Sequence, residues 1–146
     1  MKKQFIAMAL LLSGFVGYNV SAEPIEIDNA LTSEEKAAAR LTPEVMWKMG
    51  RVGEHALAPD GKSVLYTLTR YNMAENRGVT IIVSRNLASG KERELTDTSS
   101  HSLSPVWSAD GKSIWFASNR GGDMQLWRMK ADGMKPQQIS TIEGGI

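Results

Sequence analysis

The segment Ala58-Pro59-Asp60-Gly61-Lys62-Ser63-Val64-Leu65-Tyr66-Thr67 returns 50 residues later as Ser108-Ala109-Asp110-Gly111-Lys112-Ser113-Ile114-Trp115-Phe116-Ala117. Asp-Gly-Lys-Ser is identical in the two copies. The next four positions match by class: an aliphatic, an apolar, an aromatic and a small residue. Repetition at this period marks propellers and solenoids, whose unit recurs because it cannot bury its apolar surface alone.

Each copy has the same internal grammar. The first copy predicts strands at Glu54 to Ala58, Val64 to Arg70, Val79 to Arg85 and Glu92 to Thr96. The second predicts them at Leu103 to Trp107, Ser113 to Ser118, Met124 to Met129 and Gln137 to Ser140. Val79-Thr80-Ile81-Ile82-Val83 is rich in the β-branched residues that suit a buried strand. Ser89-Gly90, Asn119-Arg120-Gly121-Gly122 and Asp132-Gly133 supply turns, because Gly and Asn accept positive φ at low cost. Leu95-Thr96 and Ile139-Ser140 close the two copies alike. Four antiparallel strands joined by tight turns make one propeller blade. The expected fold is therefore all-β, with two four-stranded blades of a β-propeller. The central strands are apolar on both faces and need cover above and below, which neighbouring blades supply. Trp107, Trp115 and Trp127 accordingly read as packing between blades rather than as ligand platforms.

A propeller closes with about four to eight blades. The pattern here spans blade one at about 53–98, blade two at about 102–141 and the start of a third at 142–146. The expectation is the opening part of a truncated ring, aggregation-prone when isolated because its apolar faces lack neighbours.

The chain of 146 residues begins with Met1-Lys2-Lys3 and an apolar run from Phe5 to Val16, and Val20-Ser21-Ala22 follows. This is the three-part pattern of a secretory signal peptide, 1–22, with cleavage expected after Ala22. The run is shorter than the roughly 20 apolar residues of a membrane span. Removal leaves 124 residues with a net charge of −1, so no membrane or nucleic-acid partner is expected. The Asn19-Val20-Ser21 glycosylation triplet falls inside this signal. Export without any cysteine predicts a periplasmic or secreted protein that holds together by its core alone.

Residues 23–52 read as a helical lead-in. Glu23 to Asn29 is polar and extended in character. Thr32 and Glu35 stand at capping-box spacing ahead of helix formers. Thr42, Pro43 and Glu44 start a second short helix, which Gly50 can end. Trp47 and Met49 offer either a docking surface for another domain or local packing against the first sheet.

No Gly-x-Ser-x-Gly elbow occurs. Gly61-Lys62-Ser63 and Gly111-Lys112-Ser113 mimic the end of a phosphate loop, but Ala56 and Val106 stand where its first glycine belongs. Both are turns entering strands. His55 and His101, the only histidines, occupy similar places before the two Asp-Gly turns, without the carboxylate or cysteine pattern of a metal site. Arg120-Gly121-Gly122 is a single copy rather than an RNA-binding tract. No catalytic, cofactor-binding or metal-binding residue is therefore assigned, and no cofactor is expected.

Asp110 to Arg120, then Met124-Gln125-Leu126-Trp127, then Asp132-Gly133, resembles the β-propeller repeat shared by the translocation protein TolB and serine peptidases of the prolyl oligopeptidase family. The lead-in Leu41-Thr42-Pro43-Glu44-Val45-Met46-Trp47-Lys48-Met49-Gly50-Arg51-Val52, followed by Ala56 to Lys62, resembles the start of exported bacterial peptidases of the dipeptidyl-peptidase V type. Ile142-Glu143-Gly144-Gly145-Ile146 fits the same group. The resemblance covers residues 41–146. It implies a propeller over a C-terminal α/β-hydrolase domain whose Ser, Asp and His release dipeptides from peptide N-termini. That hydrolase domain is not in this sequence, and no position here matches the triad motifs. Ala109 replaces the commoner proline seen as Pro59, which loosens the second turn slightly. The expected function is the non-catalytic propeller portion of such an exopeptidase, inactive alone, with peptides as substrates of the missing domain. The alternatives are a TolB-like periplasmic scaffold for protein interactions and a bare structural module.

Overall fold

A computed structural model describes residues 23–146. The signal-peptide expectation for 1–22 lies outside the described residues. Two helices lead in: α1 (Ser33–Ala38) and α2 (Pro43–Lys48). Thr32 and Glu35 form the expected capping box, and the Thr42 hydroxyl accepts from the Val45 N–H. Eight strands follow: β1 (Arg51–Leu57), β2 (Ser63–Asn72), β3 (Arg77–Asn86), β4 (Glu92–Glu94), β5 (Ser102–Trp107), β6 (Ser113–Ser118), β7 (Gln125–Lys130) and β8 (Gln137–Gln138). They form two four-stranded sheets, β1-β2-β3-β4 and β5-β6-β7-β8, with every pair antiparallel. The molecule is all-β, one blade per repeat. No helix among the described residues is long and apolar enough to cross a membrane.

The duplicated motif builds the same turn twice. The Ala58 N–H donates to the Ser63 carbonyl at 2.8 Å, and the Ser108 N–H donates to that of Ser113 at 2.9 Å. Asp60 Oδ1 accepts from the Lys62 N–H at 2.9 Å, and Asp110 Oδ1 accepts from that of Lys112 at 3.0 Å. Gly61 and Gly111 both sit at φ +68°, where a side chain would be strained. With Ala109 in place of Pro59, the turn keeps these bonds. Asp-Gly-Lys-Ser recurs because each position has a job in one compact loop.

The fourth strands are shorter than the pattern predicts, ending at Glu94 and Gln138 rather than Thr96 and Ser140. At both ends a hydroxyl takes over from the ladder. Thr96 Oγ1 accepts from the Ile82 N–H at 2.9 Å, and Ser140 Oγ accepts from the Leu126 N–H at 2.8 Å. The first strand is longer than predicted and starts at Arg51, paired with Thr69. A register shift between Val52 and His55 breaks the alternation that would reveal it. β5 carries the matching shift between Leu103 and Val106.

The facing sides of the blades share one core. Leu65 and Ile82 of blade one meet Ile114, Phe116 and Met129 of blade two, with Ala56, Leu95, Trp107 and Trp127 at its margin. β1 and β5 approach each other at one edge. There the Trp107 indole N–H donates to the Ala56 carbonyl at 3.2 Å. Glu54 Oε2 accepts from the Ser104 N–H at 2.7 Å, holding Ser104 at φ +50° in the β5 irregularity.

Trp107 and Trp127 thus join the interblade layer, but Trp115 does not. Ile114, Phe116 and Ser118 alternate with Trp115 and Ala117, so Trp115 points to the far face of blade two, beside its cross-strand partner Arg128. The far face of blade one is covered by the N-terminal segment rather than by a blade. Ile25 (6% exposed) and Ile27 pack on Val79, Ile81, Val83, Tyr66 and Leu68. The Ile25 N–H donates to the Thr98 carbonyl at 3.2 Å, and Asn72 Nδ2 donates to the Glu26 carbonyl at 2.7 Å. Two isoleucines in a polar stretch are too few to announce a buried face.

Candidate functional site

Two larger concavities frame what this chain can do. One is a cleft of about 880 Å³ between the blades, at the end where the twin turns lie. Ser63 and Asp60 enter it from the first turn, Asp110 from the second, and Lys91 and Arg93 from the β3–β4 hairpin and β4. Its carboxylates are already engaged. Asp60 is bonded to the Lys62 N–H. Asp110 also accepts from the Ser108 hydroxyl at 2.6 Å. That hydroxyl, followed by the Lys112 N–H, holds the Asp110 carboxyl below the ordinary aspartate value. A carboxylate so stabilised is a poor proton donor or acceptor near neutrality. Serines line the cleft, but no histidine does, so none has the adjacent base a nucleophile needs. This cleft can bind polar groups.

The second concavity, about 540 Å³, lies beside α2. Val45 buries the inner side of the helix, and Trp47 meets Tyr71 edge-on at 5.1 Å between ring centroids. The Arg51 guanidinium lies 4.6 Å from each of these rings and donates to the Tyr71 hydroxyl at 2.8 Å. Cation–π contact and a hydrogen bond therefore fix the start of β1 against the helix. Glu26, Asp28 and Glu44 stand around the opening. Glu44 is held below the usual glutamate value by its own backbone N–H and by the Thr42 hydroxyl, as an acid in the first turn of a helix should be. The two readings of Trp47 and Met49 divide here: Trp47 packs locally, whereas Met49 is 55% exposed. Gly50 does not end the helix by a left-handed turn, since Met49 is its cap in extended conformation. It lets the chain pass β2, where a Cβ would come within 2.7 Å of Leu68 Cδ1.

The histidines are neither together nor equivalent. His55 lies within β1 opposite Tyr66, exposed, whereas His101 precedes β5 and its N–H donates to Asn119 Oδ1 at 2.8 Å. Pairing along the strands makes Arg51, not His55, the counterpart of His101. The 50-residue offset of the repeat gives the same correspondence, and the matching irregularities in β1 and β5 leave it unchanged. Among the described residues, no group of three or more His, Cys, Asp or Glu could hold a metal ion.

The sequence profile of the TolB beta propeller domain matches residues 31–145. The chain is 45% identical over 106 residues to dipeptidyl-peptidase 5 of Porphyromonas gingivalis, covering 73% of this chain and 16% of the relative. It is 32% identical over 119 residues to dipeptidyl-peptidase 5 of Porphyromonas endodontalis, covering 82% of this chain and 17% of the relative. It thus spans about one-sixth of the length of these curated relatives. Among solved structures, a protein described as TolB from Agrobacterium tumefaciens superimposes with a TM-score of 0.53 at 33% identity, over 64% of this chain and 31% of that one.

Proposed function

The chain belongs to the TolB beta propeller family, and from that premise we propose that it serves as the non-catalytic propeller portion of an exported serine exopeptidase that releases dipeptides from peptide N-termini. The observation that carries this reading is the 45% identity to a dipeptidyl-peptidase over 106 residues, more than the two blades occupy. A bare repeat would match any propeller of this kind. Agreement reaching past the blades favours one architecture, in which Trp47, Tyr71 and Arg51 lock the lead-in helix to the first blade.

In this reading the hydrolase domain supplies the Ser-His-Asp chemistry. The propeller restricts access to short peptides and contributes polar walls such as the interblade cleft. The chain by itself is inactive. The protein works in the periplasm or outside the cell after loss of residues 1–22. The rival reading, a TolB-like scaffold for protein interactions, draws on the 33% identity to the Agrobacterium protein.

Two measurements test the proposal. The reading frame after the codon for Ile146 should continue through further blades to a Gly-x-Ser-x-Gly segment; a stop codon after a closed propeller supports the scaffold instead. The 146-residue product should not release dipeptides from chromogenic dipeptidyl substrates. Turnover that scales with its concentration would overturn the claim of inactivity.

A further inference from the structure

The two blades meet through unlike faces. Ala56, Leu65, Ile82 and Leu95 are the blade-one side of the shared core. Each has a repeat counterpart on the far face of blade two. Ala56 pairs with Leu65 as Val106 pairs with Trp115. The Leu95 N–H donates to the Ile82 carbonyl as the Ile139 N–H donates to that of Leu126, both at 2.8 Å. On the blade-two side of the core, Phe116 and Trp127 are cross-strand partners, and their counterparts Tyr66 and Val83 lie on the far face of blade one. Each blade thus has a giving face and a receiving face. Blade two still offers its giving face, with Val106 57% and Ile139 44% exposed. The receiving face of blade one is shut, because Ile25 and Ile27 lie on it.

We propose that the far face of blade two docks on the far face of blade one in a second copy of this chain, and that residues 23–29 are a guard that must leave first. Stacked sheets lie about 10 Å apart, which leaves no space for a chain segment between them, so guard and blade exclude each other. The guard is held lightly. Two isoleucines pack on the face, the Ile25 N–H reaches the Thr98 carbonyl at 3.2 Å, and Asn72 donates to the Glu26 carbonyl. A docking blade brings four apolar side chains to the same face: Val106, Trp115, Leu126 and Ile139. Because unlike faces meet, each added copy keeps one face of either kind free, and association runs past the pair unless a ring closes. Closure falls at roughly two to four copies if the ring holds four to eight blades. The inference does not depend on the peptidase reading.

The test is sedimentation velocity and hydrogen exchange on residues 23–146, whose blades share one closed core. Ile25→Ser with Ile27→Ser opens the receiving face and raises the docking-competent fraction. The apparent dissociation constant of self-association should then fall about ten-fold or more. Adding Val106→Lys to that double variant should stop its self-association. The triple variant should still pair with the unmodified chain, which supplies the missing giving face. Pairing of blade two on blade two predicts neither result. Self-association indifferent to the two serines in a folded chain, or no pairing of the triple variant with the unmodified one, would overturn the proposal. The unmodified chain gives a separate reading. Its Ile25 amide should lose protection from exchange as the concentration rises from micromolar to millimolar, since the guard leaves as copies dock. Where the variants fail to fold, constant Ile25 protection over that range overturns the proposal.

Discussion

Phe116 and Trp115 are neighbours on β6, and the fold gives them opposite fates. Phe116 is 1% exposed at the centre of the layer between the blades, against Leu65, Ile82, Ile114 and Met129. Trp115 faces away from that layer, half-buried beside Arg128. Truncating a fully buried aromatic residue to alanine costs about 3–5 kcal/mol, combining lost transfer energy with the cavity left behind. Trp115 leaves no closed cavity, and its half-burial is worth about 1–1.5 kcal/mol. With a urea dependence of about 1–3 kcal/mol per molar for a chain of this size, Phe116→Ala should lower the unfolding midpoint by roughly 2 M. Trp115→Ala should lower it by well under 1 M on the same scale. Tryptophan fluorescence reads both, since Trp47, Trp107 and Trp127 remain. If the larger side chain proves the costlier loss, the assignment of faces is wrong: the stabilising layer then lies on the Trp115 side.

Three further outcomes follow from single contacts. Thr96→Val keeps shape but removes the hydroxyl that receives the buried Ile82 N–H, so stability should fall by about 1–3 kcal/mol and the Ile82 amide should exchange faster with deuterium. Asp97 is pushed up by partial burial, but the Ser99 hydroxyl and N–H and the nearby Arg120 charge outweigh this and hold it below the ordinary aspartate value. The stability it adds is therefore complete above the unfolded pKa of about 3.9 and is lost as pH falls through the folded value. Urea midpoints at descending pH should show that loss, and Asp97→Asn should flatten it. Val106 and Ile139 are 57% and 44% exposed, and Val106 pairs with Trp115 on the far face of blade two. Val106→Lys should reduce concentration-dependent light scattering by the chain; unchanged scattering would mean that this face does not drive association.

Much of this architecture was legible without coordinates. Asp60-Gly61-Lys62-Ser63 and its copy determine a turn by short-range chemistry: a carboxylate to receive a local N–H, a glycine for positive φ and a strand to enter. Thr32 with Glu35, and Thr42 with Pro43, specify the helix starts in the same local way. The doubled unit then sets blade count and strand order.

Other features depended on residues far apart in sequence. Trp115 and Phe116 are equally apolar neighbours, and only the stacking of sheets decides which is sealed and which faces outward. The isoleucines at 25 and 27 look incidental until the chain folds back over Val79 and Ile81. His55 and His101 occupy similar places before the two turns, but strand pairing puts one inside β1 and the other ahead of β5. A hollow lined by Ile25, Arg77, Ser100 and Asn119 forms only because four separate segments come together. Local hydrogen bonding and backbone sterics are written in adjacent residues, whereas burial, face and cavity depend on which distant surfaces exclude water together.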